Sequence, residues 1–137
     1  MPLLHASCVA LEGRGLLILG RAGAGKSGLA LHLMALGCQL VADDQVDLTR
    51  VGAEVFATVP GRLHGLIEAR GLGLIRAEPC ARAKIDLVID LDRTEPDRLP
   101  PKREILICEC PLPLVLRGDA AHFPYGVLQL LRGGRHA

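Results

Sequence analysis

The run Gly20, Arg21, Ala22, Gly23, Ala24, Gly25, Lys26, Ser27 has the spacing G-x-x-x-x-G-K-S. Glycines at that spacing let backbone N–H groups turn inward into a nest for an anion, and a following helix adds the positive end of its dipole. In such a loop Lys26 reaches the β- and γ-phosphates of a nucleotide, and the Ser27 hydroxyl ligates Mg²⁺. The chemistry implied is binding of ATP with Mg²⁺, and phosphoryl transfer where a base and an acceptor are at hand. "LVADD" supplies candidate carboxylates, Asp43 and Asp44. Adjacent carboxylates point in different directions, so one can take the proton of an attacking hydroxyl while the other interacts with Mg²⁺. A solvated turn or a helix N-cap explains the same pair on position alone.

These residues need elements to hold them. "LHASCVALEGRGLLILG" predicts two strands around a turn at Gly13–Gly15, the second uniformly apolar and buried on both faces. "KSGLALHLMALG" predicts a helix, with Leu29, Leu33 and Leu36 at helical spacing and Gly37 as its stop. The phosphate loop therefore has a strand before it and a helix after it. "CQLVADD" predicts a short strand beside the one that feeds the loop, with the aspartates at its carboxyl end, where open α/β sheets bind ligands. "VDLTRVGAEVFATVPG" predicts a hairpin turning at Gly52–Ala53. "RLHGLIEARGLGLI" is ambiguous in the sequence, with a short helix followed by a glycine-rich loop as one reading. "AKIDLVIDLDR" is a buried strand, "TEPDRLPPKR" a polar loop, and "EILICECPLPLVLRG" a last strand or strand pair. "HFPYGVLQLLR" predicts a final helix. Residues 1–137 are expected to form a single domain without repeats or an interdomain linker.

Composition limits the function classes. Half of the 137 residues are hydrophobic and 23% are charged, which suits a globular chain. Two Phe and one Tyr are the only aromatics, so the core must be aliphatic. A net charge of +1 leaves no electrostatic footprint for nucleic acid or for an anionic membrane surface. No apolar run approaches the roughly 20 residues of a membrane span, and residues 1–11, mildly apolar but with His5 and no cationic n-region, are not expected to be a signal peptide. Five scattered cysteines without a C-x-x-C pair indicate reduced thiols in a cytoplasmic protein. Cys108 and Cys110 are expected on one strand, both sulfurs buried on the same face rather than binding zinc. His32, His64 and His122 read as surface or partly packed residues, not metal ligands.

An ordered set of motifs then resembles a known family. His5, "GRAGAGKS", "GCQLVADD", "IEARGLGLI", "KIDLVIDLD" and "PDRLP" occur in the order found in the catalytic domain of HPr kinase/phosphorylase, over roughly residues 3 to 105. The fold this implies is an α/β, P-loop-containing domain with a mixed β-sheet and flanking helices, related to phosphoenolpyruvate carboxykinase. The activity implied is that of an ATP-dependent serine kinase acting on an HPr-like phosphocarrier protein of the phosphotransferase system, with phosphorolysis as its reverse. By resemblance, Asp43 is the general base and Asp44 supports the metal. His5 lies against the aspartate pair, and Glu68 is a second Mg²⁺ contact beside Ser27. Arg70, Gly71 and Gly73 belong to the signature loop, and Arg98 stabilises the transferring phosphoryl group. The expected form is the short proteobacterial one without the N-terminal domain, with homo-oligomeric, hexameric assembly as in the family. Gly28 stands where longer members often have Glu, and the segment from residue 116 to 137 departs from the family pattern. Two other readings stay open: a small-molecule P-loop kinase, and an ATP-sensing regulatory module that transfers nothing.

Overall fold

A computed structural model describes residues 3–61 and 64–136. The central strands are β2 (Ala6–Leu11), β3 (Arg14–Leu19), β4 (Gln39–Ala42) and the long β9 (Ala83–Thr94). β5 (Val46–Val51) and β6 (Glu54–Thr58) form a hairpin about Gly52–Ala53, as the sequence predicts, and β1 (Leu3–Leu4) pairs with β5 at the edge. β10 (Arg103–Ile107) and β11 (Cys110–Arg117) form another hairpin. The sheet runs β1-β5-β6-β9-β3-β2-β4, and β11 joins it on β9. β9 is long enough to pair with β6 at its start and β11 at its end, so the sheet divides there. β3, β9 and β11 run parallel, while β2 is antiparallel to both β3 and β4. The carboxyl ends of β3, β4 and β9 and the start of β2 therefore share one edge of the sheet.

Two aliphatic clusters fill the fold. One lies under α1 (Lys26–Ala35) and α2 (Phe123–Gly133), and includes Leu16, Ile18, Leu33, Ile89 and Leu128. The other lies between β2–β3–β9 and the β5–β6 and β10–β11 hairpins, and includes Leu17, Leu48, Val88 and Leu114. β3 sends Leu16 and Ile18 to the helix side and Leu17 to the other, which explains its unbroken apolar run. Among the described residues no helix is long and apolar enough to cross a membrane.

Four sequence expectations need correction. The first turn lies at Glu12–Gly13, with φ of 52° and 80°, rather than at 13–15. The expected helix before the glycine-rich loop is a hairpin of β7 (Leu66–Ala69) and β8 (Gly73–Arg76). Ile67 and Ala69 are buried while Glu68 is exposed, a period of two that a helix cannot satisfy. (Arg62 and Leu63, where that helix was to begin, lie outside the described residues.) Cys108 does not share a strand with Cys110: Cys108 and Glu109, at φ 50° and 65°, form the tight turn between β10 and β11. Paired left-handed residues match the twist of flanking antiparallel strands. Finally, β4 does not neighbour β3, because β2 lies between them.

Candidate active site

Residues 20–27, the candidate phosphate loop, link β3 to α1. Gly25, at φ 101°, is the N-cap of α1, and Gly23 also has a positive φ of 84°. No acidic side chain occupies the first turn of α1, so the positive helix end is not compensated from within. The Ala24 N–H donates to Arg21 O at 3.0 Å and folds the loop back on itself. A Cβ at Gly20 would lie 2.9 Å from the Ala24 Cβ and 3.3 Å from the Leu91 Cβ, so the entry to the loop requires glycine. The Lys26 ammonium curls over the loop, donating to Gly20 O at 2.5 Å and Arg21 O at 3.1 Å.

β9 supports this loop from the next strand. The Arg21 N–H donates to both carboxylate oxygens of Asp92, at 3.0 and 3.2 Å. Asp90 in turn accepts from the Asp92 N–H at 2.8 Å and from the Arg93 guanidinium at 3.1 Å.

Asp43 stands just past β4, and its Oδ1 accepts two hydroxyl hydrogen bonds. Ser27 Oγ donates at 2.8 Å and Ser7 Oγ at 2.7 Å. A bulge in β4 makes this possible. Cys8 pairs with Ala42 and Val9 with Leu40, so Val41 is the extra residue. Leu40 faces the helices, whereas Val41 and Ala42 both face the second core. Asp43 then alternates back to the helix side, where Ser27 begins α1. Bulges near sites re-aim a side chain in this way. Among the described residues Asp43 Oδ2 has no hydrogen-bond partner, and no buried polar side-chain atom is left unpartnered, so Oδ2 meets solvent.

Among the described residues, the other expected residues make no direct bond to this centre. Asp44 is exposed with φ 69°, and its carbonyl accepts from the Ala6 N–H at 3.2 Å. That bond sets His5, the residue before Ala6, beside the aspartate pair, where its exposed imidazole makes no hydrogen bond or ion pair among the described residues. Glu68 is exposed on β7, opposite Leu74. Arg70 and Gly71 lie in the β7–β8 turn, and Gly73 opens β8; the two glycines have φ of 87° and 112°. Arg98 lies exposed in the proline-rich loop after β9. Two residues of the site were missed in the sequence. Ser7 is a single hydroxyl on the helix-facing side of β2, in line with Val9 and Leu11; a polar residue in an apolar strand face was the signal. Asp92 had no signal beyond its place at the carboxyl end of a buried strand.

The donor set fits Mg²⁺. Mg²⁺ prefers one or two protein oxygens and completes its shell with phosphate oxygens and water. Ser27 and Asp43 offer a hydroxyl and a carboxylate side by side at the helix end. Among the described residues no group of three or more His, Cys, Asp and Glu side chains forms a metal cage, and this ion needs none.

Residues 2–105 match the HPr Serine kinase C-terminal domain family. The HPr kinase/phosphorylase of Aromatoleum aromaticum is 40% identical over 114 residues, covering 74% of this chain and 36% of that protein. That of Cupriavidus necator is 42% identical over 108 residues, covering 71% of this chain and 33% of its own. The chain thus spans about a third of the length of these curated relatives. The structure of the Hpr(Ser) kinase/phosphatase from Coxiella burnetii superposes with a TM-score of 0.78 at 26% identity, over 96% of this chain and 89% of that one. A family match across most of the chain, together with a shared fold, makes this protein a member of the HPr serine kinase C-terminal domain family.

Proposed function

We propose that the chain is a Mg·ATP-dependent serine kinase domain acting on an HPr-like phosphocarrier protein, with phosphorolysis as the reverse reaction. The observation that carries this reading is Asp43, pinned through Oδ1 to Ser27 and Ser7 with Oδ2 facing solvent at the end of the phosphate loop. A nucleotide sensor needs the loop and the metal but not a base, the role that the open Oδ2 of Asp43 suits.

The roles follow from the positions. Backbone N–H groups of residues 20–27 and the α1 dipole hold the phosphates, and Lys26 exchanges its loop carbonyls for phosphate oxygens. Ser27 would hold Mg²⁺, which when bound neutralises phosphate charge, with Asp44 and Glu68 as the supporting carboxylates. Asp43 Oδ2 takes the proton of the serine hydroxyl as it attacks the γ-phosphate, and returns it in the reverse direction. His5 orients the aspartate pair. Arg98 closes with its loop over the transferring phosphoryl group. The β7–β8 hairpin, with Arg70 and exposed Leu72 in its turn and exposed Leu74 on β8, meets the phosphocarrier. Most of the rate comes from positioning and electrostatics.

The test is incubation with Mg·ATP and an HPr-type phosphocarrier, followed by intact-mass and peptide spectrometry. The expected result is one phosphate on a serine, with turnover in Asp43→Asn lowered about a hundredfold or more and ATP binding kept. ATP binding without transfer to the phosphocarrier would overturn the substrate and favour a small-molecule kinase or a sensor.

A further inference from the structure

A cavity of about 630 Å³ opens at the opposite end of the fold from the phosphate loop. It is lined by Arg14 at the start of β3 and by Asp86 and Leu87 near the start of β9, whereas the loop follows the far end of β3. Five residue steps along β3 separate the two ends, roughly 17 Å. Ligand pockets run to about 300–1,000 Å³ and combine apolar walls with a few convergent polar groups. Here Val115, Leu130 and Pro113 supply apolar wall.

Five lining side chains are cationic and two are acidic, which fixes the sign of the site. Most are already committed. The Asp86 carboxylate lies 3.6 Å from the Lys84 ammonium, and Arg103 is matched by Glu95 at 2.9 Å. Arg14 donates to Leu131 O and Arg132 O at 3.0 and 2.8 Å, gripping the last carbonyls of α2, and Arg135 donates to Pro100 O and Pro101 O. Neutral carbonyls do not cancel the charge of Arg14. Lys102 and Arg132 are in a different position: both are exposed at the rim, and neither has a salt bridge among the described residues. Two uncommitted cations face an apolar wall beside the guanidinium of Arg14, with Glu104 the one uncommitted acid.

We propose that this cavity is a second ligand site, which takes a small organic anion whose carboxylate or phosphate meets Lys102 and Arg132 and whose apolar body lies on Val115 and Leu130. The site is independent of the nucleotide loop. It also touches α2, which packs on α1 through the edge-on ring contact of His32 and Tyr125 at 5.4 Å, so an occupant rests against a helix packed on the one that follows the phosphate loop.

The test is amide chemical-shift mapping of the chain saturated with Mg·ADP, titrated with benzyl phosphate, and separately with inorganic phosphate and benzyl alcohol. The expected result is saturable shifts at Val115 and residues 130–134 with benzyl phosphate, and weaker binding of either fragment alone. Lys102→Gln combined with Arg132→Gln should raise the dissociation constant about tenfold or more. Both side chains are exposed, so the dispersed spectrum of the variant reports that the fold is kept. Shifts absent from this set, or affinity unchanged in the double variant, or benzyl alcohol binding as tightly as its phosphate, would overturn the proposal.

Discussion

Ser7 and Asp43 lie 36 residues apart in the chain, yet the Ser7 hydroxyl donates to Asp43 Oδ1 at 2.7 Å. Ser7 is fully buried on β2, between the strand that feeds the phosphate loop and the strand that ends in the aspartates. It fixes the carboxylate that Ser27 also contacts. Ser7→Ala removes one of two bonds to that oxygen and leaves Ser27 in place. Hydrogen bonds to charged groups are worth about 1.5–3 kcal/mol. Phosphoryl transfer should fall roughly tenfold with the KM for ATP little changed, because the loop itself is intact. Ser7→Thr, which keeps the hydroxyl, should recover part of the rate. Steady-state kinetics of the three proteins decide it; an equal loss in Ser7→Thr would mean that packing, not the hydroxyl, matters.

The phosphate loop and its flanking elements were legible because their signals are local: glycine spacing, an apolar strand and leucines at helical intervals. The contact of Asp43 was not. Plain alternation from Leu40 would turn Asp43 away from the helices, and one extra residue, Val41, reverses that. A bulge depends on the pairing partner, which the sequence of β4 does not contain. The insertion of β2 between β3 and β4 was hidden for the same reason: strand order is a tertiary property. At residues 66–76 the glycines were visible, but Leu66–Ala69 is too short a run for its period of two to stand out from a helical turn. Cys108 misled because its left-handed backbone is uncommon for a residue with a Cβ.

Asp92 makes two short contacts to the Arg21 N–H and holds the entry to the phosphate loop. Asp92→Ala leaves that N–H without its acceptor and should loosen the loop, weakening ATP binding about fivefold to tenfold. Asp92→Asn keeps a carbonyl oxygen that can accept the same hydrogen bond, and should bind ATP close to the original affinity. Isothermal titration with ATP and Mg²⁺ measures both. Equal loss in both variants would point to the negative charge rather than the hydrogen bond.

Glu95 and Arg103 form a two-pronged ion pair with both contacts at 2.9 Å, tying the end of β9 to the start of β10. The guanidinium holds the Glu95 carboxyl below its ordinary value of 4.5. A carboxylate depressed in the folded state contributes stability that is complete above its unfolded value and is lost as pH falls through the folded one. The melting temperature should therefore drop between about pH 4.5 and lower pH more steeply than in Glu95→Gln, which has no such proton to bind. The comparison is a set of thermal melts at matched ionic strength. Parallel pH profiles would show that the pair contributes nothing to folding.

The five cysteines divide into two reactivity classes. Cys8, Cys38 and Cys110 are buried, whereas Cys80 and Cys108 are partly exposed. Burial pushes the Cys8 thiol far above its ordinary value, and burial also raises Cys38. Only the thiolate reacts, so a buried thiol with a raised pKa is protected twice, by access and by protonation. Cys108 sits in the two-residue turn between β10 and β11, where a reagent can approach. Brief treatment of the native protein with iodoacetamide near neutral pH should alkylate Cys80 and Cys108 first, with Cys8 labelled only after unfolding. Peptide mass spectrometry over a time course gives the order. Early labelling of Cys8 would mean that β2 opens on the timescale of the reaction, and that the strand carrying Ser7 is less firmly held than its complete burial indicates.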